Sequence, residues 1–354
     1  MTQQQDLVSG SFVDWEMARA TAARLGGAGP KVTAGQANAA VAGLREAARA
    51  AAGPVAETSR LHSPAGSAPV LVVDRAGWSE ANLGSMRALM DPVTAKITGG
   101  VQAPNATVAS VGGKLAGAEV GALLAFMAGK VLGQYDLAPE GTPRLLLVAP
   151  NIVQAEREMD VIPADFRLWV AMHEETHRVQ FTAVPWLRAH LIESARALAL
   201  DLAPTPAELT DRLQQLGARL PEAFAPGSTG LAEIFLTPEQ KAKVAELTAV
   251  MSLLEGHADV VMDDVGPAVI PSVESIRAKF TQRRAGLGPI DRFLRRLLGL
   301  EAKMRQYHDG AVFVRAVTER VGIDGFNAVW TSPQTLPSAA EMADPAAWVA
   351  RVHD

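Results

Sequence analysis

The chain has 354 residues, of which 48% are hydrophobic and 20% charged, so it can bury a large core and does not have the composition of a disordered protein. Its 33 Lys and Arg and 38 Asp and Glu give a net charge of −5, which excludes a globally basic surface for nucleic acid. Cysteine is absent, which excludes disulfides and thiolate sites, so any metal must be bound by His, Asp or Glu. Aromatic residues make up only 5%, which together with abundant alanine favours helices over a β-sandwich.

The first 160 residues are predicted to form helices and a small sheet. Amphipathic periodicity predicts the helices, short apolar runs predict the strands, and a segment rich in Pro, Gly and Ser predicts a connector. In chain order these elements are helices at 12–25 and 35–52, a connector at 53–68, a strand at 70–74, helices at about 77–90 and 113–133, and a strand at 145–149.

The most membrane-like segment is Leu115–Leu132, in which Glu119 and Lys130 bracket an apolar run of about ten residues, short of the roughly twenty that a span requires. Its stripe of small residues (Gly117, Gly121, Gly129 and Gly133) is also found in paired membrane helices. Length favours a closely packed, buried helix of a soluble protein. The first residues lack a basic segment followed by an apolar core, so no signal peptide and a cytoplasmic location are expected.

From Pro163 onward the pattern is almost wholly helical. Asp165 is expected to cap a helix at about 166–181, and Thr237 begins a capping box ahead of a long helix with an apolar seam. Further expectations are a capping box at Thr205, a helix from Pro289, and a tail that wraps the surface as short turns around Pro333, Pro337 and Pro345. The predicted fold is mainly α (α+β), a single domain over 1–354 with sub-regions 1–160 and 161–354.

The strongest motif is His173-Glu174-Glu175-Thr176-His177 in the helix at 166–181. Residues four apart project from one face of a helix, so His173 and His177 can both bind one Zn²⁺. The motif uses the residue after the first ligand, Glu174, as the base that takes a proton from the zinc-activated water. The second carboxylate, Glu175, is expected at the surface.

A catalytic zinc site needs a third protein ligand, which we place in Leu254-Glu255-Gly256-His257-Ala258-Asp259. Carboxylates on an apolar helix are costly unless they are paired or bind metal. The Glu-x-x-x-Asp spacing matches the glutamate-zincin arrangement, so Glu255 is the predicted ligand, and Asp259 is predicted to accept a hydrogen bond from a ligating His. Three alternatives stay open: His257 as the third ligand, His257 as a lining residue of the pocket, and Glu255 with Asp259 as an ordinary helix charge pair.

An oxyanion donor is the remaining part of such a site. Tyr307 is one candidate, His308 a weaker one, and ordinary helix packing is the alternative for Tyr307. The many Arg and Lys of residues 277–305 suggest a phosphate or nucleic-acid patch, but no aromatic residues interleave them, so a solvated helix face is preferred.

Several segments of the chain resemble the actinobacterial zincin-like metallopeptidase family. They are Val13–Trp15, Val72–Arg75 with Trp78, Leu132–Asp136, Leu147–Asn151, His173–Phe181, Leu254–Asp263, Arg305–Tyr307, and Val329, Trp330, Leu336, Pro337 and Trp348. The resemblance implies a zincin-like, largely helical fold and hydrolase activity, without naming a substrate. Some members of that family carry a label of association with biosynthesis of the deazaflavin coenzyme.

The sequence therefore predicts a zinc-dependent hydrolase of the metallopeptidase type that acts on a peptide or protein substrate. Neither a nucleic-acid partner nor a membrane is expected, and the oligomeric state is left open. The alternative is a zincin-like scaffold that retains the fold and acts as a binding or regulatory protein without catalysis. The intact His-Glu-x-x-His motif favours the enzyme, because a non-catalytic scaffold has no need of Glu174.

Overall fold

The computed structural model describes residues 13–64, 66–98, 106–203, 236–285 and 300–353. Within these residues helices dominate and three short strands interrupt them, so the mainly α (α+β) prediction is confirmed. The N-terminal elements are α1 (Trp15–Leu25), α2 (Ala34–Ser59), β1 (Val70–Val73), α3 (Arg75–Thr98), α4 (Ala106–Ala128), β2 (Gly133–Asp136), β3 (Arg144–Val148) and α5 (Ala149–Met159). The later elements are α6 (Pro163–Ala183), α7 (Leu187–Leu202), α8 (Pro238–Val269), α9 (Val273–Ala285), α10 (Leu300–Phe326), two short 3₁₀ turns, α11 (Ala339–Ala343) and α12 (Pro345–His353).

The sheet has the strand order β1-β3-β2. Strands β1 and β3 are parallel and place Val70 beside Leu145, whereas β2 runs antiparallel to β3 and pairs Gly133 with Leu147. β1 and β3 match the two predicted strands. β2 was not predicted, because a four-residue run of Gly-Gln-Tyr-Asp carries no apolar pattern.

Helix α6 lies at the centre of the fold, in contact with α2, α8, β2 and β3. It begins at Pro163 rather than at 166, so the predicted cap at Asp165 is wrong: this carboxylate accepts hydrogen bonds from the backbone N–H and hydroxyl of Ser272. Helix α8 begins as predicted, since Thr237 and Gln240 form a reciprocal capping box. Buried apolar side chains of α2, β3, α6 and α8 share one core around α6, which fixes the two helices that carry the motif residues.

Helix α2 continues through Gly53 and Pro54 to Ser59, so the predicted connector begins later than expected. Val55 and Ser59 are fully buried in the last turns, and the Ser59 hydroxyl donates to the Val55 carbonyl. Burial in the core therefore outweighs the helix-breaking tendency of the Gly-Pro pair.

Helix α4 contains Ser110–Ala128, 19 residues with a mean hydropathy of 1.4, which by length and composition could cross a membrane. A Cβ on Gly121 would overlap the Ala18 carbonyl, and one on Gly117 the Asp14 carbonyl, so α4 packs directly on α1. The close packing predicted for this stripe is confirmed for these two glycines. Gly133, assigned to the same stripe, lies in β2 instead. Only a third of the apolar window is buried, so the prediction of a buried helix is wrong for much of α4, which faces outward.

The C-terminal tail is not the set of surface turns that was predicted: it forms the two 3₁₀ turns and helices α11 and α12, which contribute buried side chains to the core. Trp348 of α12 is fully buried and packs edge-on against Phe313 of α10.

In the basic stretch at 277–305, Arg277 forms an ion pair with Asp263, and Arg283 forms one with Glu158. The expected helix from Pro289 and the capping box at Thr205 lie outside the described residues, and division of the chain into one domain stays a prediction.

Candidate metal and hydrolytic site

Helices α6 and α8 bring His173, His177 and Glu255 together. Their donor atoms all lie within 4.8 Å of one another. The two Nε2 atoms are 3.3 Å apart, and Glu255 points one carboxylate oxygen at each of them, with Oε2 3.6 Å from His173 and Oε1 3.6 Å from His177. The histidines are adjacent because they are one turn apart on α6. Glu255 reaches them because α8 packs across α6.

These distances fit a tetrahedral metal ion. Donors that each lie about 2.0–2.1 Å from a tetrahedral Zn²⁺ are separated by about 3.3–3.4 Å, close to the observed spacing. Two imidazoles and one carboxylate are a ligand set that suits zinc better than Ca²⁺ or Mg²⁺. His173, His177 and Glu255 would therefore hold the ion, and three ligands leave the fourth position open for water or substrate.

Glu174 lies in a closed environment between the motif helix and the sheet. Its side chain is buried, and burial raises its pKa well above the usual range, with the nearby charge of Glu255 adding to the rise. Gly133 of β2 is the close neighbour: a Cβ built on this residue would lie 2.5 Å from Glu174 Cγ and 2.6 Å from Oε1. The Glu174 carboxylate thus occupies a space beside β2 that any residue larger than glycine at position 133 would fill. A buried carboxylate with a raised pKa is suited to accept a proton.

Gln180 follows His177 by one helical turn and is fully buried. Its Oε1 is 3.0 Å from His177 Nδ1, and its Nε2 is 2.9 Å from both the Leu254 carbonyl and His257 Nδ1. His257 is also fully buried, and its ring packs against those of Phe326 and Trp330. Burial, and then the nearby His177, lower the pKa of His257 to about 3, so this imidazole is neutral at physiological pH.

The predicted surface position of Glu175 is wrong. This carboxylate is buried and forms a bidentate pair with Arg178 three residues later, at 2.7 and 2.6 Å. The pair also holds the segment before β1, since Arg178 reaches the Ser67 hydroxyl and the Ala68 carbonyl. Glu175 therefore has a structural role as the partner of Arg178. The spacing of three residues between the acid and the arginine could have predicted this pair.

The other candidates have different outcomes. His257 lies two residues after Glu255 on α8, but its ring nitrogen contacts Gln180 rather than the three-donor cluster. Asp259 lies one turn after Glu255 and is exposed. Burial of Arg277 lowers the pKa of that guanidinium, and the negative charge of Asp259 opposes this with a smaller, raising effect. At His173 Nδ1 the structure places the Met262 sulfur, at 3.3 Å. The role of Asp259 stays a prediction, and so does that of Tyr307, a residue of α10 whose side chain lies outside the described residues.

The sequence reasoning missed Gln180, Gly133 and Met262. Gln180 has a readable signal, since a glutamine three residues after a predicted ligand is on the same helix face. Gly133 has no such signal, because its role comes from the approach of β2 to α6, which only the tertiary structure brings about.

The sequence profile of the zincin-like metallopeptidase family matches residues 13–349. Among solved structures, the chain is similar to a protein from Chloroflexus aurantiacus described as "a putative hydrolase with a novel fold". The two are 30% identical with a TM-score of 0.68, over 96% of this chain and 98% of that one. No curated protein matches the chain. The actinobacterial origin stays a prediction.

Proposed function

Because the chain belongs to the family of zincin-like metallopeptidases, we propose that it is a zinc-dependent hydrolase that cleaves amide bonds of peptides or proteins. The observation that carries the proposal is the convergence of His173, His177 and Glu255 from two helices, with the buried carboxylate of Glu174 near enough for the charge of Glu255 to raise its pKa. A likeness over nearly its full length to a protein described as a hydrolase supports the same class of reaction. A cytoplasmic location stays a prediction from the sequence.

Each residue of the proposed site has a distinct task. His173, His177 and Glu255 would hold the ion, and bound zinc supplies Lewis acidity that lowers the pKa of water and polarises a carbonyl. Glu174 accepts the proton of the attacking water, and holds it for transfer to the leaving amine. Its burial disfavours the charged form, so the carboxylate takes up a proton more readily than one in solvent.

A peptide substrate is the preferred class because the family is one of peptidases and Glu174 lies against Gly133 in β2, an edge strand of the described sheet. The competing proposal, a zincin-like scaffold without catalysis, shares the fold and the metal ligands. It differs in that it assigns no chemical task to Glu174.

Replacement of the proposed base tests the two proposals. Glu174→Gln removes the proton acceptor but keeps the shape of the side chain and all three ligands. We expect it to bind zinc as the wild type does and to cleave a peptide library about 10²–10⁴-fold more slowly. The exposed Glu319 on α10 gives a matched control, since Glu319→Gln changes the same functional group away from the site.

The outcomes separate the alternatives. Cleavage by the wild type that Glu174→Gln abolishes supports the hydrolase, whereas cleavage that survives in Glu174→Gln would refute the role of this residue. A zinc-loaded wild type that cleaves no member of the library leaves the scaffold proposal. Wild type that contains no metal after purification without chelator would contradict both.

A further inference from the structure

The carboxamide of Gln180 lies between two histidines and a backbone carbonyl in the interior of the protein. Its Oε1 is 3.0 Å from His177 Nδ1, while its Nε2 is 2.9 Å from the Leu254 oxygen and 2.9 Å from His257 Nδ1. Gln180 and His257 are both fully buried, so solvent does not compete for these hydrogen bonds. Leu254 directly precedes Glu255 on α8.

Only one orientation of the amide is chemically allowed. The Leu254 carbonyl can only accept a hydrogen bond, so the amide atom that faces it must be the NH₂ group. A rotation of the amide by 180° would place two carbonyl oxygens against each other and leave buried polar groups unpaired, which is costly. The Gln180 oxygen is therefore held toward His177.

This orientation determines the tautomer of His177. An amide oxygen only accepts, so His177 Nδ1 carries the hydrogen and donates it. In the neutral imidazole the lone pair is then on Nε2, the atom that faces Glu255 Oε1 and His173 Nε2. Gln180 thus accepts the hydrogen bond from the second ring nitrogen of a metal-binding histidine, a role that a carboxylate or backbone carbonyl commonly fills.

The same amide also determines the tautomer of His257. The NH₂ group only donates, so His257 Nδ1 accepts and its hydrogen lies on Nε2. That Nε2 is buried and has no hydrogen-bond partner among the described residues. The ring of His257 is fixed by packing against Phe326 and Trp330. Its Nδ1 accepts a hydrogen bond from the Gln180 amide and so fixes the orientation of that amide.

We propose that Gln180 is a positioning residue of the metal site, which fixes His177 in the tautomer that binds metal through Nε2 and joins α6 to α8 next to Glu255, and that His257 fixes the Gln180 amide. This inference rests on the proposed metal site. It assigns His257 a role behind the ligands and removes it from the choice of third ligand.

Two substitutions of Gln180 separate positioning from general stability. Gln180→Leu keeps the volume but removes the acceptor at His177, and we expect zinc to bind about 10–100-fold more weakly. Gln180→Glu restores an acceptor there, while it loses the donors to Leu254 and His257. Zinc affinity should return to within about tenfold of wild type in this variant, although the metal-free protein is destabilised by the lost donors.

The measurements are zinc affinity, by competition with a chromogenic chelator, and thermal unfolding of the metal-free proteins. Gln240, a buried glutamine in the cap of α8, provides the control, because Gln240→Leu should lower stability and leave zinc affinity unchanged. Equal zinc affinity in wild type and Gln180→Leu would overturn the proposal. So would an affinity in Gln180→Glu as low as in Gln180→Leu, because affinity would then follow stability alone.

His257→Phe tests the second half of the inference. The ring packing is retained but the acceptor at Nδ1 is lost, so zinc affinity should fall less than in Gln180→Leu. A loss as complete as that of Glu255→Ala would make His257 a ligand and refute the assignment.

Failure of the metal site itself can be recognised separately. If the wild type binds no zinc, the proposed function fails, while ¹H–¹⁵N NMR of the imidazoles in the metal-free protein still tests the hydrogen bonds. Protons on His177 Nδ1 and His257 Nε2 support the positioning role, and the opposite tautomers overturn it.

Discussion

Gly133 shows how a single residue outside the motif can govern the proposed base. The motif helix sets the backbone of Glu174, but the carboxylate occupies the space beside β2 in which a Cβ of Gly133 would stand. Gly133 lies in regular strand pairing with Leu147, and its φ is not positive. Glycine is therefore required at this position because the Glu174 side chain lies close to the backbone, and not because the backbone needs a conformation that other residues disfavour.

Gly133→Ala is expected to impair catalysis more than stability. The new methyl group would press on the flexible Glu174 side chain and displace the carboxylate, and a displacement of about 1 Å can cost about 10²-fold in rate. The three ligands are not touched, so zinc content should equal that of the wild type. The measurements are peptide hydrolysis, zinc content and the unfolding midpoint.

Gly129 offers the matched control for this change. A Cβ there would have its nearest neighbour at an ordinary 3.6 Å, so Gly129→Ala should leave the rate unchanged. A Gly133→Ala enzyme with full activity would show that Glu174 does not depend on this contact for its position.

Which residues of the site can be predicted from the sequence depends on how local their geometry is. His173 and His177 could be predicted because a spacing of four determines a common helix face, and Glu255 because a carboxylate in an apolar segment requires a partner. Glu175 was misplaced, although its pairing with Arg178 is equally local. Gly133 could not be predicted, because its contact with Glu174 joins residues 41 positions apart across the fold.

At the level of secondary-structure elements, the ligand Glu255 depends on the crossing of α8 and α10. A Cβ on Gly256 would overlap the backbone of Gly310, and a Cβ on Gly310 would overlap the Ser252 carbonyl. The two helices therefore touch backbone to backbone, directly beside Glu255. The sequence predicted α8 from its capping box and apolar seam, but it gave no signal for this crossing, which requires the two glycines to meet.

Gly256→Ala should force α8 and α10 apart. Neither backbone can yield as a side chain does, so we expect a loss of about 1–3 kcal/mol in the free energy of unfolding, which chemical denaturation would measure. Zinc affinity should fall as well, because Glu255 is the preceding residue. Gly84, in the middle of α3 with open space around it, is the control, and Gly84→Ala should stabilise the protein by about 0.5–1 kcal/mol. An unchanged unfolding free energy in Gly256→Ala would contradict the close crossing.

At the scale of the whole molecule, the proposed site joins parts of the chain that are distant in sequence. His177 and Glu255 are 78 residues apart, and they meet because α2, the sheet and α8 all pack around α6. The fold class and the two parallel strands were predictable from composition and short apolar runs. The packing around α6 was not, because each helix shows which face it buries and does not show which partner covers that face.

Zinc is expected to stabilise the whole chain because its ligands lie on two different helices. An ion that binds only the folded state contributes RT ln(1 + [Zn²⁺]/Kd), about 2.7 kcal/mol at a hundredfold excess over Kd. The unfolded chain competes weakly, since it contains no cysteine that could bind zinc. Thermal unfolding should therefore shift upward with added zinc and fall back with EDTA. Glu255→Ala should lose most of this response, whereas Glu319→Gln should retain it. A full zinc response in Glu255→Ala would show that another group is the third ligand.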